Sequence, residues 1–169
     1  TLDFQGGADL VCLHTCAALA EDHDVTLFTA SRTAPGTLAD RFDVPFDADV
    51  VQPRGGKAIA AAFEALGPSV GAQLAARTAL VSLLSRRQLT AFDAVVSTAN
   101  EVSLPGPSVQ YVHFPQFRAA STEAAGGRTL NRVWTRLAGP REPFSRRTRM
   151  VANSAWTADV VARRYGTKP

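Results

Sequence analysis

A histidine that follows a short apolar run is the side chain best suited to chemistry in this sequence. The run at 108–112 contains valine and tyrosine, lies between prolines at 107 and 115, and is followed directly by His113. This pattern predicts a buried strand with a histidine at its carboxyl end, where open α/β sheets bind ligands. An imidazole donates, accepts and titrates near neutrality, so it suits contact with a polar substrate. A second interpretation stays open, in which His113 hydrogen-bonds to loop carbonyls at the strand end.

Two consecutive glycines near the amino terminus, Gly6 and Gly7, are the second feature suited to a ligand. They stand where a loop runs into an apolar helical pattern that extends to about residue 20. Glycines at a helix start let a ligand approach free backbone N–H groups, and the helix dipole favours a phosphate or diphosphate there. A plain glycine turn is the alternative interpretation.

Cys12 and Cys16 are the two cysteines of the chain, and His14 lies between them. On a helix the two thiols share a face while His14 points to nearly the opposite side. We therefore interpret the cysteines as core residues and predict no metal site. Two cysteines are too few for a disulfide framework, which indicates a reducing compartment. The sequence contains no signal-peptide pattern and no apolar run of the roughly 18 residues that a membrane span needs.

Length and composition fit one globular domain, since the chain has 169 residues, of which 46% are hydrophobic and 20% charged. The charge is uneven: residues 1–90 carry 7 basic and 10 acidic side chains, whereas residues 91–169, the arginine-rich half, carry 11 and 5. Nucleotide phosphates, an anionic membrane surface, nucleic acid and plain solvation all fit such a half, and arginines alone do not choose among them.

The segments that would position His113 and the glycines alternate between strand and helix. Strand patterns occur at 24–29, 48–51, 92–98, 108–112 and 149–153, and the segment 92–98 is the clearest buried strand. Helical patterns occur at 6–20, 37–42, 58–89 with a break at 67–68, 129–137 and 155–165. Ser154 is a natural N-cap and Gly166 a natural helix end, and residues 118–128 have the composition of a surface loop. This alternation predicts an α/β fold with a doubly wound, mostly parallel sheet flanked by helices.

Four segments, taken in order, resemble the amino-terminal domain of family-4 glycosyltransferases. They are Gly-Gly-Ala-Asp at 6–9, Asp-His-Asp-Val-Thr-Leu-Phe at 22–28, Tyr-Val-His-Phe-Pro at 111–115 and Val-Ala-Asn-Ser-Ala-Trp-Thr at 151–157. The resemblance covers nearly all of residues 1–169 as a single domain, and the third segment is most similar to the branch that contains the dolichol-linked mannosyltransferases. It implies a Rossmann-like domain, the amino-terminal half of the GT-B arrangement, and sugar transfer with retention of configuration.

The resemblance also implies roles for individual residues. His113 would contact the donor sugar near the reacting centre, and Gly6 and Gly7 would border the donor diphosphate. Four further residues would contact the acceptor or face the cleft: Gln5, Asn100, Glu101 and Tyr111. For the two that follow strand 92–98, a capped loop is an equally compatible interpretation. The implied partners are a GDP- or UDP-linked sugar and a glycan or lipid-linked acceptor, without a cofactor, a metal or nucleic acid.

Two parts of the family pattern have no counterpart in the sequence. They are the first, central strand of the sheet and the carboxyl-terminal domain, which binds most of the nucleotide and carries paired glutamates. A sheet without its central strand exposes unpaired backbone groups. We therefore expect a fragment of a larger enzyme that is inactive alone. We expect it in the cytoplasm, with peripheral contact to the cytoplasmic face of a membrane.

Two other function classes were weighed against the transferase. A non-catalytic module of glycosyltransferase-like fold would bind a partner or a membrane through its arginine-rich half. An oxidoreductase that binds a nicotinamide dinucleotide is disfavoured, because Gly6 and Gly7 do not extend to a Gly-x-Gly-x-x-Gly pattern and no acidic residue follows the second strand at the ribose-binding position. Titration with a nucleotide-sugar discriminates the transferase from the non-catalytic module.

Overall fold

The computed structural model describes residues 2–65, 70–115, 133, 136–138 and 147–169, without the side chains of residues 63, 64 and 70–75. The chain divides into two compact units, unit 1 at Thr1–Pro68 and unit 2 at Ser69–Pro169. The predicted loop at 118–128 and the predicted break at 67–68 lie outside the described residues. Of the predicted helix at 129–137, residues 133, 136 and 137 are described, and they are helical.

Unit 1 contains two parallel strands and three helices. In chain order they are α1 (Gly7–Ala20), β1 (Thr26–Phe28), α2 (Pro35–Phe42), β2 (Asp49–Val51) and α3 (Gly56–Ala65). Strands β1 and β2 pair in parallel, with Thr26 opposite Asp49 and Phe28 opposite Val51. A helix lies between the two strands in sequence, as a parallel connection requires. The predicted alternation of strand and helix is therefore confirmed in this unit.

The core of unit 1 is built from apolar side chains of α1, α2 and their flanking loops. Its buried members are Leu2, Cys12, Leu13, Leu38, Ala39 and Val44. Both cysteines are buried free thiols, whereas His14 is exposed. This arrangement confirms the prediction that the thiols and the histidine lie on different sides of α1. A side-chain hydrogen bond with Cys12, together with burial, raises the pKa of the Cys16 thiol, which keeps it protonated and chemically quiet.

Local backbone chemistry sets the ends of the helices in unit 1. Helix α2 begins with Pro35, whose fixed φ suits the first helical position. The residue after its last turn, Asp43, is the C-cap and adopts the left-handed conformation with a φ of 54°. Gly55 forms the turn that precedes α3 with a φ of +78°. This backbone conformation favours glycine, which has no Cβ. Gly56 lets the start of α3 lie close to Ala30. A Cβ at position 56 would lie 3.3 Å from the Ala30 Cβ, which is a tight contact.

Unit 2 is a three-stranded parallel sheet with helices before and after it. Its elements are α4 (Val70–Leu89), β3 (Val95–Ser97), β4 (Ser108–Val112), β5 (Thr148–Ala152) and α5 (Ala155–Tyr165). The strand order is β3-β4-β5, so β4 is central. Residues 108, 110 and 112 of β4 are buried and the two between them are half-buried. The central position of β4 places the histidine-bearing end in the middle of the sheet edge.

Strand β3 is shorter and more exposed than the sequence predicts. It covers Val95–Ser97 rather than 92–98, and Val96 keeps 39% of its surface exposed. Because β3 is the edge strand of this sheet, one row of its backbone groups has no partner strand among the described residues. The prediction of a strand here is confirmed, and the prediction that it is fully buried is wrong.

Helix α5 begins and ends as its sequence predicts. The Ser154 Oγ accepts the backbone N–H of Thr157 at 3.2 Å, which is a side-chain N-cap. Gly166 ends the helix with a φ of 63°, in the left-handed region that favours glycine. Helix α5 packs on the sheet through Val161 and Tyr165, which form a core cluster with β4 and β5.

No helix of the described residues is both long enough and apolar enough to cross a membrane. The sheets in the two units are parallel throughout, so the predicted α/β class is confirmed. The hydrogen bonds divide the strands into one sheet of two strands and one of three.

Candidate functional site

The carboxyl ends of β3, β4 and β5 lie at one edge of the unit 2 sheet, because all three strands run in the same direction. His113 directly follows β4, and the loop that contains Asn100 follows β3. Asn153 follows β5, and its N–H donates to the Val112 carbonyl at 3.3 Å. The edge of the sheet where α/β folds bind ligands therefore carries the predicted histidine together with two asparagines.

Asn100 is hydrogen-bonded to the main chain that carries the histidine. Its Oδ1 accepts the N–H of His113 at 2.7 Å and the N–H of Phe114 at 2.9 Å. Only 4% of Asn100 is exposed, and its φ is 67°. The Ser97 hydroxyl donates to the Asn100 carbonyl at 2.9 Å and closes the turn after β3. The Asn100 side chain is therefore directed to the backbone at the end of β4.

Thr157 contacts the same backbone from the side of α5. Its hydroxyl lies 3.3 Å from the His113 carbonyl and 2.7 Å from the Asn153 Oδ1, and 1% of the residue is exposed. A hydroxyl has one proton to donate, so the shorter contact is the stronger bond. The N–H of His113 therefore has a firm partner and its carbonyl a weaker one.

The His113 side chain is half-buried beside Tyr111. The two ring centroids are 4.8 Å apart and the planes are inclined by 56°, a tilted aromatic contact. Pro115, two residues on, is fully buried and fixes the chain where it leaves the edge. The imidazole is thus carried by an anchored backbone and packed on one ring, and its Nε2 atom is buried.

Phe114 and Trp156 form a second aromatic pair next to the histidine. Their rings stack with centroids 5.8 Å apart and planes inclined by 16°. Exposed fractions of 46% for Phe114 and 58% for Trp156 leave most of the pair at the surface. Neither residue was assigned a role from the sequence.

Glu101 is fully buried beneath this edge. Its Oε1 accepts the Tyr165 hydroxyl at 2.6 Å, which links the loop after β3 to the end of α5. The next residue, Val102, is held by the buried side chain of Gln110, which accepts its N–H at 3.0 Å and donates to its carbonyl at 2.7 Å. Asn100 and Glu101 therefore support the loop in this structure, and direct contact of either with a ligand stays a prediction.

In unit 1, the loop before Gly6–Gly7 is fastened to the carboxyl end of β1. The N–H of Leu2 donates to the Ser31 Oγ at 2.5 Å. The Asp3 Oδ1 accepts the N–H groups of residues 32 and 33 at 2.8 and 3.0 Å. These bonds place the glycines at the end of the unit 1 sheet that corresponds to a ligand-binding edge.

Gly6 and Gly7 form the start of α1 without needing glycine for their backbone conformation. Gly6 is the N-cap residue with a φ of −111°, and the described residues leave nothing within 4 Å of a Cβ on Gly7. The Gly6 N–H donates to the Asp9 Oδ2 at 3.2 Å. Asp9 is 5% exposed, and its burial raises the pKa of this carboxyl despite the hydrogen bond from Gly6. The open space at Gly7 leaves room for a ligand to reach the helix start.

Gln5 precedes these glycines in an exposed position with a φ of 51°. The Arg41 guanidinium of α2 donates to its Oε1. Arg41 therefore brings a positive charge to the glycine loop, which the sequence did not predict because 36 residues separate the pair. Gln5, Gly6 and Gly7 belong to unit 1, and the remaining candidate residues belong to unit 2.

The structure thus gathers His113, Tyr111, Asn100 and Glu101 at one edge of unit 2. Thr157 is the supporting residue that the sequence analysis quoted within a motif and gave no role. In the part of the chain that the structure describes, no group of three histidine, cysteine or acidic side chains is arranged to hold a metal ion.

Comparison with known proteins places this arrangement in a family. Searches of curated proteins and of solved structures each gave no match. A family model described as Glycosyltransferase Family 4 matches residues 5–169, which include the glycine loop, the histidine edge and the capped helix α5. The chain therefore belongs to glycosyltransferase family 4.

Proposed function

We propose that this chain is the acceptor-side domain of a retaining glycosyltransferase. A domain of this family acts in sugar transfer and binds a sugar donor and an acceptor. The finer proposal is transfer from a GDP- or UDP-linked sugar, with mannose as the first candidate, to a lipid-linked or glycan acceptor. A separate domain would bind most of the nucleotide.

The observation that carries the proposal is the way His113 is presented. The Asn100 Oδ1 accepts the His113 N–H and so fixes this main chain at the carboxyl end of the central strand, and the residue is half-buried with its Nε2 atom shielded from solvent. A fixed imidazole can donate a hydrogen bond to the sugar as charge develops between sugar and diphosphate. This role needs orientation more than a shifted pKa, and orientation is what the anchored backbone supplies.

The glycine loop supports the donor part of the proposal. The Gly6 and Gly7 region offers a helix start with open space above it, and Arg41 lies next to Gln5 at the same loop. A diphosphate is stabilised by helix N–H groups and by a nearby guanidinium. Gln5 would contact a ligand at the glycine loop of unit 1. Tyr111 would contact the acceptor at the sheet edge of unit 2, where Asn100 and Glu101 would shape the edge from beneath.

The alternative function is a non-catalytic module that acts through the arginine-rich half. The described arginines of this half, at positions 136, 147, 149, 163 and 164, are all exposed. Exposed cations attract an anionic surface such as a membrane leaflet. The same feature would hold a transferase at the cytoplasmic face of a membrane, so arginine exposure alone does not favour the alternative.

The deciding experiment is a titration of the chain with GDP-mannose and, separately, with UDP-glucose. Binding is monitored through the NMR chemical shifts of the backbone amides. The transferase proposal expects shifts that saturate at Gly6, Gly7 and His113 for one of the two nucleotide-sugars. A parallel arm adds vesicles of phosphatidylcholine with and without phosphatidylserine. Binding to anionic vesicles without any response to either nucleotide-sugar would favour the non-catalytic module.

A further inference from the structure

We propose that Asn100 is a positioning residue for His113: its side-chain oxygen takes the place of a missing strand partner and sets the direction in which the histidine leaves β4. The inference rests on the proposed function in one respect, since positioning matters to transfer if His113 contacts the donor. The geometry itself is independent of that function.

The first step concerns the hydrogen bonds that β4 loses at its end. Strand β3 pairs with β4 as far as Ser97 opposite Gln110, whereas β5 continues to Ala152 opposite Val112. Beyond residue 110 the β3 side of β4 has no further strand pairing among the described residues. Here the Asn100 Oδ1 accepts hydrogen bonds from the backbone N–H groups of His113 and Phe114. The side chain therefore extends the ladder past the point where β3 stops.

The second step concerns the backbone of Asn100. Its φ of 67° lies in the left-handed region, which disfavours most side chains because Cβ comes too close to the following carbonyl oxygen. Asparagine and aspartate tolerate this region better than other non-glycine residues. They also offer an oxygen at the correct distance from Cα. Asparagine thus meets both requirements of this position, glycine meets the backbone requirement alone, and alanine meets neither.

The third step ranks the two contacts on the His113 backbone. Asn100 bonds at 2.7 and 2.9 Å, whereas the Thr157 hydroxyl reaches the His113 carbonyl at 3.3 Å and shares its proton with Asn153. The threonine contact is therefore secondary. Loss of the Asn100 oxygen should release residues 113 and 114, and loss of the Thr157 hydroxyl should have a smaller effect on them.

The experiment compares Asn100→Gly, Asn100→Asp and Thr157→Val in the 169-residue chain by NMR. Two quantities are measured: amide hydrogen exchange at residues 113 and 114, and the contact between the His113 and Tyr111 rings, which are 4.8 Å apart. The methyl resonance of Met150, the single methionine, reports on the folded core. Asp43→Gly is the matched control, because Asp43 is also left-handed and belongs to unit 1.

We expect exchange at His113 and Phe114 to accelerate about tenfold or more in Asn100→Gly, since both amides lose their hydrogen-bond acceptor. The ring contact between His113 and Tyr111 should weaken in the same variant. In Asn100→Asp, which keeps the acceptor, both quantities should stay within about threefold of the wild type. Thr157→Val should fall between these variants, and Asp43→Gly should change neither quantity.

An unchanged ring contact in folded Asn100→Gly overturns the proposal, because the side-chain oxygen would then not direct the histidine. If Asn100→Gly does not fold, Asn100→Asp decides. If Asn100→Asp folds but loses the contact between the His113 and Tyr111 rings, the proposal is also overturned. If Asn100→Asp keeps this contact, the proposal is supported. These readouts need no turnover, so failure of the transferase proposal would appear separately, as loss of any response to nucleotide-sugars.

Discussion

The Glu101 carboxylate and the Tyr165 hydroxyl, 64 residues apart in sequence, are joined by a hydrogen bond of 2.6 Å inside unit 2. Glu101 is fully buried and Tyr165 is 5% exposed, so water does not replace either partner. The bond fastens the loop beneath the histidine edge to the last turn of α5. A buried carboxyl group that loses a donor keeps its desolvation penalty, which makes this link important for stability.

We therefore predict that Tyr165→Phe lowers the free energy of unfolding by about 1–3 kcal/mol. Thermal and urea unfolding measure the difference. The matched control is Tyr111→Phe, since the Tyr111 hydroxyl makes no hydrogen bond within the described residues. An equal, small loss in both variants would show that the Glu101 bond contributes little.

A second prediction concerns the buried Asp9 at the start of α1. Burial raises the pKa of Asp9 above its ordinary value of 3.8, so folding favours the protonated form. The resulting stabilisation is present below the unfolded pKa and is lost as the pH rises through the higher folded pKa. Asp9→Asn keeps an oxygen for the Gly6 N–H without the charge. We expect this variant to be more stable than the wild type at pH 7.

The test is urea unfolding of both proteins between pH 3 and pH 7. The advantage of Asp9→Asn should shrink as the pH falls through the interval between the raised folded pKa and 3.8. Asp22→Asn is the control, because it makes the same change of charge on an exposed side chain of unit 1. A variant less stable than the wild type at pH 7 would show that the charged carboxylate stabilises the helix start.

A third prediction separates ligand binding from folding at the glycine loop. The Gly7→Ala methyl group fits the open space around this position. The variant should raise the free energy of unfolding by up to about 1 kcal/mol, because alanine has a higher helix propensity than glycine. The same methyl group should hinder close approach of a diphosphate and weaken nucleotide-sugar binding about tenfold. Calorimetry and thermal unfolding measure the two effects.

Gly36→Ala is the control for this substitution. Gly36 is also helical, and a Cβ there meets nothing within 4 Å. We expect a similar gain in stability without any change in nucleotide-sugar affinity. Unaltered affinity in a stable Gly7→Ala variant would remove the glycine loop from the donor site.

A fourth prediction concerns the activity of these 169 residues by themselves. A nucleotide-sugar bound to one domain keeps much of its surface in water, whereas transfer needs closure that orients the reactants and excludes solvent. We expect no measurable transfer to lipid or sugar acceptors by the 169-residue chain alone, even with added metal ions. Turnover by a pure preparation, measured with radiolabelled donor, would contradict this expectation.

Local patterns in the sequence were sufficient to predict much of the fold. The run at 108–112, Ser154 as N-cap and Gly166 as helix end each depend on neighbouring residues, and each is found as predicted. The extent and burial of β3 were wrong because edge position is decided by tertiary pairing, which a run of apolar residues does not encode.

The site was predictable in its residues more than in their roles. His113 follows from its strand, but its N–H donates to Asn100 and its carbonyl accepts from Thr157, which are 13 and 44 positions away in the sequence. Burial of Asn100 and Glu101 likewise depends on how loops pack on α5. Such contacts leave no periodic signal, so the sequence left ligand contact and a capped loop equally open for Asn100 and Glu101 and identified neither bonding partner.

The central claim is that His113 acts in sugar transfer, and the most direct test is the turnover of His113→Ala in a protein that joins this chain to a nucleotide-sugar-binding domain. Asn100 bonds to the main chain of residues 113 and 114, so removal of the imidazole should leave the loop and the melting temperature intact. We predict a fall in kcat of roughly 100-fold, with donor affinity within a few-fold of the wild type. His14→Ala, which removes an exposed imidazole from α1, should keep normal turnover. Normal turnover per folded molecule of His113→Ala would contradict the account.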